Sequence, residues 1–283
     1  MLVSNFGTDY ELLKASNGQK LERWDNITLL RPDPVIIWND GKIDQKEADA
    51  VYHRSNTGGG YWENLKDIPE RWTIKYKNLT FNIKQMGFKH TGLFPEQAVN
   101  WDRMIEKIKN SQRDIKVLNL FAYTGGASVA CLSAGASVVH VDSSKGMNDW
   151  AKENVVSSGL SDKPIRFLVD DVIKFVEREI RRGNKYDAII MDPPSYGRGA
   201  NKEVWSIEKD LNNLLYLCKQ ILNDNFLFVC VNTYSTNLSM LTLENLLKTH
   251  FKSQNIQIDE IALPIKESDL YLPCGVTGWI TND

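Results

Sequence analysis

From about residue 90 onward the chain alternates short apolar strands with helices of roughly 10–15 residues, and this alternation constrains the fold more than any other feature. KVLNLFAY (116–123), SVVHVD (137–142), IRFLVD (165–170), YDAIIMD (186–192) and NFLFVCVNTY (225–234) read as strands. Helices are predicted over 126–135, 145–159, 171–183, 203–222 and 238–251. Another is predicted over 95–110, with Pro95 suited to its first turn. IQIDEIAL (256–263) and GVTGWI (275–280) supply the last two strands. Such a pattern makes a doubly wound α/β domain, a mostly parallel sheet with helices on both faces. Continuously apolar strands such as DAIIM agree, because a parallel sheet is buried on both sides. Ligands of such sheets bind at the carboxyl ends of the strands, near the point where strand order reverses. The residues just after each strand are therefore where chemistry is expected.

The first 88 residues read differently. They hold Trp24, Trp38, Trp62 and Trp72, and their apolar runs are short. ITLLRPDPVIIW (27–38) is interrupted by two prolines, which cannot donate to a sheet ladder. WTIKYKNLTFNIK (72–84) alternates cleanly around Lys77-Asn78, as a hairpin would. TGGGYW (57–62) reads as a glycine loop. A length of 283 residues suits two domains at about 150 residues each. The expected division is a small β-rich domain over 1–88, a candidate for substrate recognition, and an α/β domain over 89–283.

Several function classes recede on composition. No apolar run approaches the ~18 residues needed to span a bilayer, and MLVSNFGTDYELLK lacks a basic segment followed by an apolar stretch, so no secretory signal is expected from it. Thirty-four basic against 36 acidic residues give a net charge of −2, so any grip on nucleic acid must come from a local patch. Cys131, Cys218, Cys230 and Cys274 show no CxxC spacing, which argues against a disulfide framework or structural zinc and for reduced thiols in the cytoplasm. The four histidines stand singly, and no metal site is expected.

The strand ends carry the informative residues. FAYTGGAS (121–128) puts two glycines between a strand and a helix, so the backbone can pass close to a ligand. It is neither a GxGxxG nor a GK[ST] loop, and a bare βα turn is its plain alternative. Asp142 ends the second strand, where a carboxylate can accept from ribose hydroxyls or cap the next helix. Asp170 and Asp171 end the third, able to accept from an adenine amino group or to cap. MDPPSYGRG (191–199) follows the fourth and is the most specific string in the chain. Two prolines stiffen the backbone there, Asp192 adds an acceptor, and Tyr196 adds a ring on which a planar base can stack.

FAYTGG, VDSS, VDDV and DPPSYGRG, in this order at these strand ends, resemble the class I S-adenosylmethionine-dependent methyltransferases. More narrowly, residues 90–280 resemble the bacterial group that contains the large-subunit ribosomal RNA cytosine and guanine methyltransferases. YHRSNTGGGYW through FKHTGLFPEQ (52–97) is similar to a further subgroup of methyltransferases sharing this sheet. The resemblance implies a Rossmann-like sheet of seven strands with the last antiparallel, and S-adenosylmethionine as cofactor. It implies that Phe121, Ala122, Tyr123, Thr124, Gly125 and Gly126 wrap the methionine part, and that Asp142, with Ser143 beside it, binds the ribose. Asp171, or else Asp170, would face the adenine. Phe94 and Gln97 would line the cofactor pocket from the domain junction. Asp192, Pro193, Pro194, Ser195 and Tyr196 would face the transferred methyl group and its acceptor.

Members that methylate cytosine carbon carry a cysteine in the loop after the fifth strand. Here that loop is VNTYS, with Tyr234 near the cysteine's place, and Cys230 lies inside the strand. A nitrogen target, or a carbon target by another route, is therefore the better expectation than a cysteine adduct at cytosine C5. Ribosomal RNA is the expected substrate, with Arg198 and Tyr234 as candidate contacts. A cluster of Lys174, Arg178, Arg181, Arg182 and Lys185 could meet phosphate or simply face solvent, and Tyr52, Tyr61, Trp62 and Trp72 could stack bases or fill a core. A protein or small-molecule methyltransferase, and a binding module that keeps the fold, stand as alternatives. A nicotinamide oxidoreductase is weakened by the missing GxGxxG.

Overall fold

The computed structural model describes residues 1–55, 59–198, 204–234, 238–252 and 254–282, with Arg198 described by its backbone alone. Two compact units emerge. One comprises Leu2–Val99 and Ile261–Cys274, the other Met1, Asn100–Glu260 and Gly275–Asp283. This division differs from the expected one at residue 88. The first unit takes in 261–274 because Leu2 and Val3 pair with Ile261 and Ala262, and Leu12 bridges Ile265.

In the first unit, β1 (Leu2–Val3) precedes a five-stranded sheet. Its strands are β2 (Tyr10–Ser16), β3 (Gln19–Trp24), β4 (Ile27–Pro32), β5 (Ala50–Arg54) and β6 (Gly60–Asn64). Asn17 and Gly18 form the two-residue turn between β2 and β3, both at positive φ, the turn that matches the twist of a hairpin. β7 (Trp72–Tyr76) and β8 (Leu79–Ile83) form a separate hairpin that turns at Lys77-Asn78. Leu21, Leu30, Ile43, Ala48 and Val51 pack together as a small core.

α1 (Ala98–Asn110) leads into the second unit. There follow β9 (Lys116–Leu120), α2 (Gly126–Ser133), β10 (Ser137–Asp142), α3 (Lys145–Ser157), β11 (Ile165–Val169), α4 (Val172–Arg182) and β12 (Ala188–Met191). A short hairpin, β13 (Tyr196–Arg198) with β14 (Val204–Ser206), precedes α5 (Ile207–Gln220), β15 (Phe228–Thr233) and α6 (Met240–His250). β16 (Asn255–Pro264) and β17 (Tyr271–Thr281) complete the chain.

The large sheet runs β1-β16-β17-β15-β12-β9-β10-β11. Apart from the two-residue β1, this is the expected seven-stranded Rossmann-like sheet, and β17 is antiparallel to β15 as expected. β9 lies at the centre, between β12 and β10, so strand order reverses beside it. Leu118 and Leu120 of β9 join a core with Phe175, Leu211, Leu215 and Leu243 from α4, α5 and α6.

Two local expectations change. The first strand stops at Leu120, not 123, because Phe121 and Tyr123 adopt positive φ and leave the ladder. The helix expected from 203 begins at Ile207, because Val204–Ser206 pair with Tyr196–Arg198 instead.

Candidate active site

Strand register alone gathers the candidate residues. Leu120 pairs with Val141 on one side and Met191 on the other, Asp142 with Val169, and Met191 with Val231. The next residues in each strand direction (Phe121, Asp142, Asp170 and Asp192) therefore stand side by side along the carboxyl edge of the sheet, at the reversal in strand order. Tyr234 follows β15 on the same edge and is 46% exposed.

The turn after β9 alternates its backbone. Phe121, Tyr123 and Gly125 all have positive φ, a region side chains tolerate poorly. Gly125 is required for a second reason: a Cβ there would stand 3.0 Å from the Cβ of Ala151. The turn is tied down from below. Ala122 donates its N–H to the Val141 carbonyl (3.1 Å), and the Asn154 amide donates to the Thr124 carbonyl (2.8 Å). Beneath it the Asn119 amide donates to Ser128 Oγ (2.9 Å), which lies 3.0 Å from Nδ1 of His140. Burial pushes the His140 imidazole down to about 3, so this ring is neutral and structural.

Asp142 accepts the N–H of Tyr123 at Oδ2 and that of Ser144 at Oδ1, both at 2.8 Å. It does not cap α3; Ser144 does, accepting from Met147 N–H at 3.3 Å. Burial raises the Asp142 carboxyl, against the pull of the Ser144 and Tyr123 N–H groups. A carboxylate offers about four lone-pair sites, so roughly two remain after these bonds, enough for the two hydroxyls of a ribose. Ser143 is exposed beside it. Asn148 donates to the carbonyls of Asp142 and Ser144, and its own Oδ1 is buried with no partner among the described residues.

The two acids after β11 separate in role. Asp171 caps α4, accepting from Lys174 N–H at 3.0 Å. Asp170 forms an ion pair with Arg178.

At the end of β12, Asp192 is half-buried, and among the described residues its carboxyl has no hydrogen-bond or ion-pair partner. Desolvation alone pushes it up to about 6. Pro193 is buried, while Pro194 and Ser195 are exposed and Tyr196 is 56% exposed. The carbonyls of this stiff segment are not equivalent. That of Pro194 accepts the Trp205 indole N–H (2.7 Å), and that of Ser195 accepts Ile207 N–H (3.0 Å). Among the described residues nothing donates to the Pro193 carbonyl, which leaves it and the Asp192 carboxyl as adjacent acceptors. Trp205 also lays its ring against Phe121, centroids 4.7 Å apart, and so links the two loops. Sequence reading missed Trp205, because nothing in KEVW marks a residue that reaches back eleven positions.

Phe94 and Gln97 belong to the other compact unit, where Phe94 opens the short turn Pro95–Gln97 and its ring meets His90 edge-on at 5.4 Å. Arg198 ends β13, and its side chain lies outside the described residues, as do Gly199 of the DPPSYGRG string and Ser235 of VNTYS. Three members of the basic cluster on and after α4 are engaged within the chain. Arg178 holds Asp170, Arg182 pairs with Glu179 at 3.1 Å, and Lys185 donates to the Gln220 carbonyl at 2.6 Å. Cys230 is fully buried in β15, its thiol pushed up to about 12 by burial, with Sγ 3.7 Å from Thr277 Oγ1. Among the described residues no cluster of His, Cys, Asp or Glu could hold a metal ion, and no helix is long and apolar enough to cross a membrane.

Residues 48–251 match the model of a family of S-adenosylmethionine-dependent methyltransferases. A ribosomal RNA large subunit methyltransferase K/L from a Shewanella species is 32% identical over 188 residues, 65% of this chain and 25% of that protein. A ribosomal RNA large subunit methyltransferase I from Photobacterium profundum is 28% identical over 243 residues, 76% of this chain and 58% of that one. The chain thus spans a quarter to somewhat over half the length of these relatives. The crystal structure of a SAM-dependent methyltransferase from Agrobacterium tumefaciens is 32% identical, with a TM-score of 0.95, covering 100% of this chain and 94% of that one.

Proposed function

The chain belongs to the S-adenosylmethionine-dependent methyltransferases, and from that premise we propose that it methylates a nitrogen on a base of ribosomal RNA. The cofactor of this enzyme is S-adenosylmethionine, which supplies an already activated sulfonium methyl group. The observation that carries the nitrogen reading is the Asp192 carboxyl, unpartnered among the described residues and beside the unused Pro193 carbonyl. Two acceptors side by side suit the two N–H groups of a base amine.

In this reading Asp142 accepts the ribose hydroxyls, and the turn from Phe121 to Gly126 holds the methionine part of the cofactor, with Ser143 at its edge. One of the acids after β11 faces the adenine. Asp171 retains lone pairs beyond its cap, whereas Asp170 is engaged by Arg178. Asp192 and Pro193 fix the amine so that its lone pair points at the methyl group, which converts an encounter into an oriented reaction. Asp192 then takes the proton that the nitrogen loses. Ser195 lines the mouth of the site, while Tyr196 and Tyr234 offer exposed rings against which an unpaired base can stack. Arg198 is the candidate for a nearby phosphate.

A cysteine adduct at cytosine C5 is disfavoured because Cys230 is buried and strongly protonated, and Tyr234 stands after the strand. Ribosomal RNA as substrate is supported by the names of the relatives, and the setting we assign is the cytoplasm. The test is incubation with methyl-tritiated cofactor and ribosomal RNA from a strain lacking the gene, followed by mapping of the labelled nucleoside. Label on a base nitrogen is expected. Label on a carbon would overturn the nitrogen reading, and label on protein alone would overturn the RNA reading.

A further inference from the structure

The hairpin of β5 and β6 and the segment 86–90 form one ledge within the first compact unit. His53 pairs with Tyr61 and Arg54 with Gly60. Gly60 must be glycine, because a Cβ there would stand 2.1 Å from the His53 carbonyl oxygen and 2.7 Å from the Tyr52 ring. The Trp62 indole donates to the Met86 carbonyl (2.9 Å) and the Tyr52 hydroxyl to that of Gly87 (3.5 Å). Arg31 donates to the Lys89 carbonyl (2.8 Å). Tyr52 and Trp62 are thus consumed as structural pins.

What the ledge leaves outward is different. Tyr61 is 63% exposed and stacks on His53 with centroids 5.1 Å apart, and Phe88 is 62% exposed. Arg54 is exposed and has no ion pair among the described residues. The half-buried Lys89 ammonium meets, among them, only the Pro32 carbonyl at 3.5 Å. Burial, then Lys20, Arg31 and Arg54, push that ammonium down against the pull of Asp33. The acids close by are already engaged. Glu63 pairs with His53 (2.7 Å), Asp33 with Lys20 (3.2 Å), and Glu22 with Arg31 (2.6 Å). A half-buried cation among other cations is costly until an anion reaches it. Unengaged cations interleaved with exposed ring faces are the combination that single-stranded nucleic acid requires.

We propose that this ledge is a single-stranded RNA-binding site, with Arg54 and Lys89 on backbone phosphates and Tyr61 and Phe88 stacking unpaired bases. The proposal rests on the reading of RNA as the substrate.

The test is fluorescence anisotropy of the whole chain with a labelled single-stranded RNA of about 12 nucleotides, across a salt series. Removing two phosphate contacts lowers the slope of log K against log salt by about 1.4 for a single strand, so Arg54→Gln with Lys89→Gln is expected to do so. Arg54→Gln alone, on an exposed side chain, is expected to give about half that change, and it keeps the test valid should loss of Lys89 disturb folding. Tyr61→Ala and Phe88→Ala are each expected to weaken binding roughly 5- to 150-fold with the slope unchanged. Arg181→Gln, on α4, is expected to change neither quantity. If the wild-type chain binds RNA and these variants bind with unaltered slope and affinity, the ledge is not the site and the RNA reading stands. If the wild-type chain binds no RNA at low salt, both fall. Equal binding of a duplex of the same length would overturn the stacking role.

Discussion

The backbone N–H of Tyr123 donates to Oδ2 of Asp142 at 2.8 Å, so the turn after β9 and the carboxylate after β10 are fixed to each other. Both sequence motifs depend on this bond. It aims the carboxylate, and it braces a turn in which Phe121 and Tyr123 both hold positive φ.

Asp142→Ala is expected to lower S-adenosylhomocysteine affinity at least about 100-fold in calorimetric titration, since two hydrogen bonds to a charged acceptor are worth about 3 kcal/mol or more. It also strands the N–H groups of Tyr123 and Ser144, so the melting temperature should fall modestly with the fold retained. Unchanged affinity would remove the ribose role.

Asp192 should set the acid limb of the pH profile. Burial pushes its carboxyl up to about 6, so turnover should rise about tenfold per pH unit below that value and level off above it. Asp192→Asn should be slow and flat over the same range while still binding cofactor. Stability follows the opposite sign. A carboxyl raised by burial costs nothing below the unfolded value near 4, and stability declines as pH climbs toward 6. The loss is at most about 3 kcal/mol, reduced by the part of the carboxyl that still meets solvent. Asp192→Asn should therefore melt higher than wild type at pH 8 and equally at pH 4. An alkaline-limited wild-type profile would contradict the assignment.

The thiols should be silent. All four cysteines are buried. Native protein should react with none of them on the timescale of minutes with a thiol reagent, and Cys230→Ala should keep turnover within a few-fold. A covalent complex between the wild-type chain and RNA carrying 5-fluorocytidine would restore the cytosine C5 mechanism.

Ser128→Ala should loosen the turn after β9. It strands the Asn119 amide and Nδ1 of His140, both buried, at a cost of about 1–3 kcal/mol for each unsatisfied group. A clear drop in melting temperature with a weaker cofactor is expected. An unchanged melting curve would show that the Asn119–Ser128–His140 chain does not support the turn.

Trp205→Phe should separate the packing of this ring from its N–H. The ring contact with Phe121 survives, but the Pro194 carbonyl loses its donor. Turnover should fall while cofactor affinity holds. Equal loss in Trp205→Phe and Trp205→Ala would assign the effect to the hydrogen bond, and full activity of Trp205→Phe would assign it to packing.

Much of the α/β unit was legible because a parallel sheet writes itself locally. Strands such as AIIM are apolar throughout, and the helices between them close on Gly159 and Gly183. The first unit was less legible. QKLERW forms β3, yet its Glu22 is fully buried against Arg31, so the apolar alternation that betrays a strand is replaced by a buried ion pair. The strand Val204–Ser206 was hidden for a related reason: its partner, Tyr196–Arg198, is a neighbour in space that helical periodicity does not register.

The sequence by itself determined the order of strands and helices, the positions of Asp142 and Asp192 at strand ends, and the family those residues announce. All of these depend on periodicity and on residues near one another in the chain. Only the tertiary structure decided which polar groups are already engaged. Arg178 takes Asp170 and Trp205 takes the Pro194 carbonyl, while Asp192 is left unpartnered among the described residues. A side chain's partner is chosen by distance and desolvation in the folded chain, and sequence separation encodes neither.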